Sequence, residues 1–148
     1  MAIDRYFATY SGISYYMLHV KETARAQGFV TTLLGRRREI PELRSTNRSL
    51  VAAGERMAIN MPIQGTAADI MKIAMIRVGA RLRVEGFRAR LLLQVHDELL
   101  LEVPRDEVDR LVPAVRETME GALTLDVPLT VDVKVGDDWE SMTPSARE

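Results

Sequence analysis

The strongest fold signal in the chain lies at residues 91–103, which read LLLQVHDELLLEV. Two strand-like segments at residues 91–95 and 98–103, each rich in leucine and valine, flank the polar pair His96 and Asp97. Short apolar runs joined by two residues predict two antiparallel strands, although His-Asp is an unusual choice for a tight hairpin turn. The sequence therefore places a carboxylate at a sharp bend between two strands.

His96, Asp97 and Glu98 at this bend suit metal chemistry. Carboxylate oxygens are preferred ligands of Mg²⁺, and two such ions promote in-line phosphoryl transfer. A second strand bearing a carboxylate is normally needed for two ions, so this hairpin alone is not enough. The same residues also fit a plain turn at Asp97 with a packed imidazole at His96. A histidine-rich metal phosphohydrolase is disfavoured, because His19 and His96 are the chain's two histidines.

Carboxy-terminal to the hairpin, residues 106–121 predict an amphipathic helix. Its apolar stripe comprises Val108, Leu111, Val112, Val115 and Met119. Residues 129–135 alternate apolar and polar side chains and predict a strand that returns to the hairpin, and residues 136–148 predict a loop. These patterns predict an α+β fold, in which long helices pack on a small antiparallel sheet.

Amino-terminal to the hairpin, helical patterns dominate. Residues 3–27 predict one helix capped by Gly28, and residues 29–41 predict a small basic hairpin followed by a polar loop over residues 42–47. Residues 48–60 predict a second helix.

Pro62 is expected to end or kink that second helix, because proline lacks a backbone donor. Thr66 followed by Asp69 resembles a capping box, so a further helix is expected from there to residue 85, before Gly86.

The composition is that of one soluble globular region of 148 residues, with 47% hydrophobic and 28% charged residues. The absence of cysteine excludes disulfides and thiolate metal sites. No apolar run is long enough to cross a membrane, and no apolar stretch follows the first residues as it would in a signal peptide. A cytoplasmic, nucleoid-associated location fits these features.

The two halves of the chain carry opposite charge. Residues 1–96 contain 15 basic and 7 acidic side chains, a net of +8, whereas residues 97–148 contain 5 and 14, a net of −9. Such an asymmetry indicates a polyanion on one side and cations on the other. Mutual attraction of the halves would explain it equally well.

Two groups of basic and polar residues suit a polyanion. Arg56, Asn60 and Gln64 recur every four residues and share one helix face, although Pro62 should disturb the last step. These side chains hydrogen-bond phosphates, sugars and base edges, and can probe the minor groove without reading sequence. A solvated helix face is the alternative.

The second group is the run Arg36, Arg37 and Arg38, with Arg44 and Arg48 close behind. Guanidinium groups bind phosphates through paired hydrogen bonds and give an affinity that depends on salt. A solvated, soluble hairpin is the alternative.

Four stretches resemble family A DNA polymerases, in the family's order along nearly the whole chain. LQVHDE at residues 93–98 is similar to motif C, and ERMAINMPIQGTAAD at residues 55–69 to the long Q helix. LGRRR at residues 34–38, with Pro41, resembles the hairpin that precedes this helix. Residues 127–139 resemble the family's carboxy terminus.

The resemblance implies roles for individual residues. It implies that Asp97 ligates the catalytic metal ions, that Glu98 supports it and that His96 contacts the primer end. The residues implied to touch the primer–template duplex are Arg56, Asn60 and Gln64.

The implied activity is template-directed nucleotidyl transfer onto a DNA primer in replication and repair, with deoxynucleoside triphosphates and two Mg²⁺ ions. The family's motif A aspartate and its nucleotide-binding fingers helix have no match here, and Glu39 stands where relatives often have an aromatic residue. We therefore expect a carboxy-terminal palm and fingers piece that is inactive alone.

Within this single region, residues 1–86 are expected to be mostly helical with a small basic hairpin. Residues 87–148 are expected to form a hairpin, helix and strand of the palm. The alternatives are a non-catalytic module that binds duplex DNA and a complementation partner that docks on the missing half of a split polymerase.

Overall fold

The computed structural model describes residues 2–145, with side chains from Arg5 onward. The chain forms two compact units, Met1–Ala67 and Ala68–Glu148. The α+β class is confirmed, because long helices accompany three two-stranded antiparallel sheets. None of the described helices is long and apolar enough to cross a membrane.

The amino-terminal segment of the first unit forms two helices, α1 (Ala2–Thr9) and α2 (Ser11–Gln27), so the single helix predicted over residues 3–27 is wrong. Tyr10 leaves the helical region, with φ −112° and ψ 60°. Threonine, serine and glycine surround it and form helices poorly. The predicted cap is confirmed: Gly28 is left-handed at φ 83° and donates to the carbonyl of Ala24 at 2.8 Å.

The predicted basic hairpin is confirmed by strands β1 (Phe29–Thr31) and β2 (Arg37–Glu39), which pair antiparallel. We name β1, β2 and the residues between them the arginine hairpin. A short 3₁₀ helix, Pro41–Arg44, occupies part of the predicted loop. The core of this unit is a buried cluster of Ala24, Val30, Ile40 and Ala58.

One continuous helix, α3 (Arg48–Val84), replaces the two helices predicted on either side of Pro62. Proline within a helix costs about 3 kcal/mol, because it removes a hydrogen bond to the carbonyl four residues earlier, here that of Ala58. Residues that α3 buries on either side of Pro62, such as Ala58 and Ala74, favour the helix despite that loss. The capping role predicted for Thr66 is also wrong, because Thr66 lies inside α3 and its hydroxyl donates to the carbonyl of Pro62 at 2.5 Å.

The second unit contains the predicted central hairpin, formed by β3 (Arg90–Val95) and β4 (Glu98–Glu102) with a bulge between Leu91 and Leu93. A 3₁₀ turn, Arg105–Glu107, leads into α4 (Val108–Glu120), which confirms the predicted amphipathic helix. The core of this unit joins α3 and α4 through Val78, Leu82, Leu111 and Val115, with Ala89 just before β3 in the same cluster. Leu99 and Leu101 of β4 pack against it.

The predicted three-stranded sheet is wrong, because the returning strand pairs elsewhere. Burial alternates over residues 129–135 as expected, but ladder pairing is limited to β5 (Lys134–Val135) with β6 (Thr143–Pro144). The backbone N–H of Val131 donates to the carboxylate of Glu120 at 2.8 Å. The predicted tail loop thus contains a strand, and its residues 146–148 lie outside the described part of the chain.

Candidate nucleic-acid groove and metal-binding turn

An open groove of about 700 Å³ lies within the first unit, between the arginine hairpin and α3. Both groups of residues predicted to face a polyanion line it. These six residues are Arg36, Arg37, Arg38, Arg56, Asn60 and Gln64. We call this feature the basic groove; the structure thus brings together side chains that lie up to 28 positions apart in the sequence.

The helix wall of the basic groove depends on the continuity of α3. Arg56, Asn60 and Gln64 are all exposed and all line the groove, so Pro62 does not move Gln64 away from this face. A four-residue step covers slightly more than one helical turn, which keeps the three side chains on one face.

Side-chain hydrogen bonds hold the arginine hairpin against this helix. The hydroxyl of Thr66 accepts from the N–H of Leu33 at 3.0 Å, and the guanidinium of Arg36 donates to the carbonyl of Gly65 at 2.9 Å. Thr32 in turn accepts from the N–H of Arg36 at 3.1 Å. A β-carbon on Gly65 would lie 2.7 Å from the Thr32 methyl, so glycine is what permits this approach.

The basic groove is positively charged. None of its described lining residues is acidic, and Arg56 forms no ion pair within residues 2–145. Arg37 pairs with Glu39 at 2.6 Å and also stacks over the ring of Phe29 at 3.5 Å, which orients it. Guanidinium groups beside amide side chains match a phosphate backbone and the acceptors on base edges.

The predicted site at His96, Asp97 and Glu98, which we name the His-Asp-Glu turn, lies in the second unit. His96 has φ 53° and is the one non-glycine residue of the described chain with positive φ. Such strained conformations cluster at functional sites. All three side chains are exposed, so the alternative of a packed imidazole at His96 is wrong.

The carboxylates of the His-Asp-Glu turn fit part of a magnesium site. Mg²⁺ is usually held by one or two carboxylates together with waters and substrate phosphates, and Asp97 and Glu98 supply adjacent, solvent-facing carboxylates. No group of three or more His, Cys, Asp or Glu side chains among residues 2–145 is placed to hold a metal. Further oxygen ligands would therefore have to come from elsewhere.

Sequence patterns did not reveal Glu107, which positions the strand that leads to the turn. Glu107 is 8% exposed, and its carboxylate accepts from the N–H groups of Arg88 at 3.0 Å and Ala89 at 3.2 Å. Hydrogen bonding from the Arg88 N–H is the main cause that lowers the pKa of Glu107. The partners are 18 and 19 residues apart, beyond the reach of any local pattern.

Comparisons with known proteins agree with the resemblance in motifs. The family model described as DNA polymerase family A matches residues 1–141. DNA polymerase I of Bacillus caldotenax is 53% identical over 137 residues, which are 93% of this chain and 16% of that protein. DNA polymerase I of Pseudomonas aeruginosa is 53% identical over 138 residues, which are 93% of this chain and 15% of that protein.

A solved structure is also similar: the POL domain of Pol1 from M. smegmatis in complex with DNA primer-template and dNTP. Its TM-score is 0.83 at 50% identity, covering 86% of this chain and 22% of that one. The chain spans 15–16% of the length of the curated relatives it matches. A family model that matches nearly every residue, supported by relatives at about half identity, shows that this chain belongs to DNA polymerase family A.

Proposed function

We propose that this chain is part of a DNA-directed DNA polymerase that adds deoxynucleotides to a DNA primer under template direction. The basic groove is the observation that carries the proposal. It gathers four arginines and two amide side chains, with no acidic residue among its described lining. The M. smegmatis relative, which is similar in fold, was solved with DNA primer-template and dNTP.

In this proposal the groove holds the primer–template duplex. The arginine hairpin neutralises backbone phosphates through Arg36, Arg37 and Arg38. Polar side chains of α3 reach base edges in the minor groove, where every base pair presents acceptors; these are Arg56, Asn60 and Gln64. Contacts of this kind test pairing geometry without selecting a sequence.

The His-Asp-Glu turn serves the chemistry. Asp97, supported by Glu98, would hold Mg²⁺, which stabilises charge on the attacking and leaving oxygens during in-line transfer. His96 orients the primer end. The left-handed backbone at His96 fixes the direction in which the adjacent aspartate leaves the hairpin.

A second set of carboxylates completes the site, because two metal ions require more ligands than this turn offers. By the family pattern these belong to the motif A strand, with a separate fingers helix for the incoming nucleotide. The 148-residue chain alone should therefore not extend a primer. A polymerase segment that carries these parts is its expected partner.

A chimera tests the proposal. The matching 137 residues of the Bacillus caldotenax relative are replaced with those of this chain, and primer extension is measured with Mg²⁺ and four deoxynucleotides. We expect extension, and a loss of about a thousandfold in the Asp97→Asn chimera, since metal charge stabilisation contributes several kcal/mol.

Duplex binding by the same chimeras separates the alternatives. A chimera that binds duplex but does not extend, or extension that survives Asp97→Asn, would leave a non-catalytic duplex-binding module as the better description. Duplex binding that persists in Asp97→Asn, together with lost extension, supports the catalytic role of the turn.

A further inference from the structure

The helix wall of the basic groove carries two stripes of different chemistry. Beside the polar stripe runs a second stripe at the same four-residue spacing, made only of small and apolar side chains. Its members are Ala53, Met57, Met61 and Gly65. A duplex that fills the groove and hydrogen-bonds to the polar stripe therefore also meets the exposed parts of two thioethers.

The two methionines of this stripe are held in place. Each is half-buried and packs against the core cluster of the first unit. The sulfur of Met57 accepts a hydrogen bond from the guanidinium of Arg38 at 3.8 Å. The methyl of Met61 lies beside Gly65, 3.3 Å from where a β-carbon on that glycine would stand. Their exposed surface is apolar, with sulfur as a weak acceptor and no donor.

Such a surface should bind deoxyribose and ribose with different affinities. The sugars border the minor groove, where deoxyribose presents C–H groups, whereas an RNA strand displays 2′-hydroxyls. A hydroxyl pressed against a thioether loses water without gaining a good partner, which is unfavourable. Deoxyribose has no 2′-hydroxyl and therefore loses no hydrogen bond to water at this position.

We propose that Met57 and Met61 make the basic groove selective for deoxyribose over ribose in the bound duplex. This inference rests on the proposed duplex-binding function and adds to it the class of sugar that the groove accepts. The polar stripe contacts base edges, while the methionine pair lies against the sugars and rejects the 2′-hydroxyl.

Fluorescence anisotropy of the full 148-residue chain with three short duplexes of one sequence tests the inference. One strand is DNA throughout, and the other is deoxy, ribo or 2′-fluoro. The 2′-fluoro sugar shares the pucker of ribose but has no hydroxyl donor, so it separates groove shape from the hydroxyl itself. We expect the 2′-fluoro duplex to bind about tenfold more tightly than the ribo duplex, as for one unsatisfied hydroxyl. Equal affinity for these two duplexes would overturn the inference.

Variants assign the effect to the methionines. Met57→Gln with Met61→Gln offers the hydroxyl both donor and acceptor groups, so the tenfold gap should close. Met57→Leu with Met61→Leu keeps the surface apolar and should keep the gap. A leucine pair that loses the gap, or a folded glutamine pair that keeps it, contradicts the inference. If the glutamine pair unfolds, the single variants Met57→Gln and Met61→Gln are measured instead, and each should narrow the gap; a gap unchanged in both folded single variants contradicts the inference.

The same titrations distinguish the two levels of the proposal. If the chain binds each of the three duplexes no more tightly than an Arg56→Ala variant does, the proposed duplex-binding function is contradicted. If the chain binds all three and Arg56→Ala weakens each, but ribo and 2′-fluoro strands bind equally, only the sugar selectivity fails.

Discussion

Thr66 and Leu33 are joined by a hydrogen bond of 3.0 Å that ties the arginine hairpin to α3. Thr66 is 6% exposed, and its hydroxyl also donates to the carbonyl of Pro62. The hydroxyl of this buried side chain thus accepts a hydrogen bond from the hairpin and donates one to a carbonyl of α3. The geometry of the basic groove depends on this link, because the groove lies between the two elements that Thr66 connects.

Thr66→Val should destabilise the first unit. Valine has nearly the shape of threonine but leaves the N–H of Leu33 without its acceptor, at a cost of about 1–3 kcal/mol. Urea unfolding of the variant should show a lower midpoint, and Thr66→Ser, which keeps the hydroxyl, should recover most of the loss. A valine variant as stable as the parent would mean that this hydrogen bond does not hold the hairpin.

Gly65→Ala and Gly79→Ala should have opposite effects although both lie in α3. Alanine favours a helix over glycine by about 1 kcal/mol, and a β-carbon at Gly79 meets nothing within 4 Å, so that variant should gain stability. At Gly65 the β-carbon would lie 2.7 Å from the methyl of Thr32, an overlap that costs about 1–3 kcal/mol. Thermal melts of the two variants compare them directly, and a Gly65→Ala variant stabilised like Gly79→Ala would contradict the close approach.

Glu107 should make the second unit sensitive to acid. Its folded-state pKa lies below the ordinary value of 4.5, because backbone N–H groups and Arg88 stabilise the carboxylate. A lowered pKa contributes stability that is complete above the unfolded-state pKa and lost as the pH falls through the folded-state pKa. Glu107→Gln should therefore unfold more easily near neutral pH and lose less stability from about pH 5 to pH 2 than the parent does.

Urea midpoints across that pH range measure the effect. Asp109→Asn is the matched control, since Asp109 is an exposed carboxylate at the start of α4. Parallel pH profiles for the parent and Glu107→Gln would show that another group causes the acid sensitivity.

Local signals in the sequence predicted much of the fold. Gly28 caps a helix, the His-Asp pair joins two strands, and Leu111 and Val115 of the apolar stripe of α4 are buried. Each of these features depends on neighbours within a few residues. Both groups of residues that line the basic groove were also recognisable from short stretches of sequence, but their position in one groove depends on the tertiary fold.

The errors have tertiary causes. Pro62 is expected to end or kink a helix, but the residues that α3 buries on either side of it, such as Ala58 and Ala74, favour a continuous helix. The strand over residues 129–135 was expected to join the central hairpin, but alternation alone does not specify a partner strand. Glu107 and Thr66 act through partners 18 to 33 residues away, which no periodic pattern can reveal.

The most direct test of the basic groove is duplex DNA binding by the chain and two charge-matched variants, Arg56→Ala in the groove and Arg83→Ala on the exposed end of α3. Affinity is measured over a series of salt concentrations. We expect Arg56→Ala to weaken binding and to reduce the slope of log affinity against log salt by about 1, with Arg83→Ala close to the parent. Equal effects of the two variants, or a parent chain whose affinity does not change with salt, would show that the groove is not where the duplex binds.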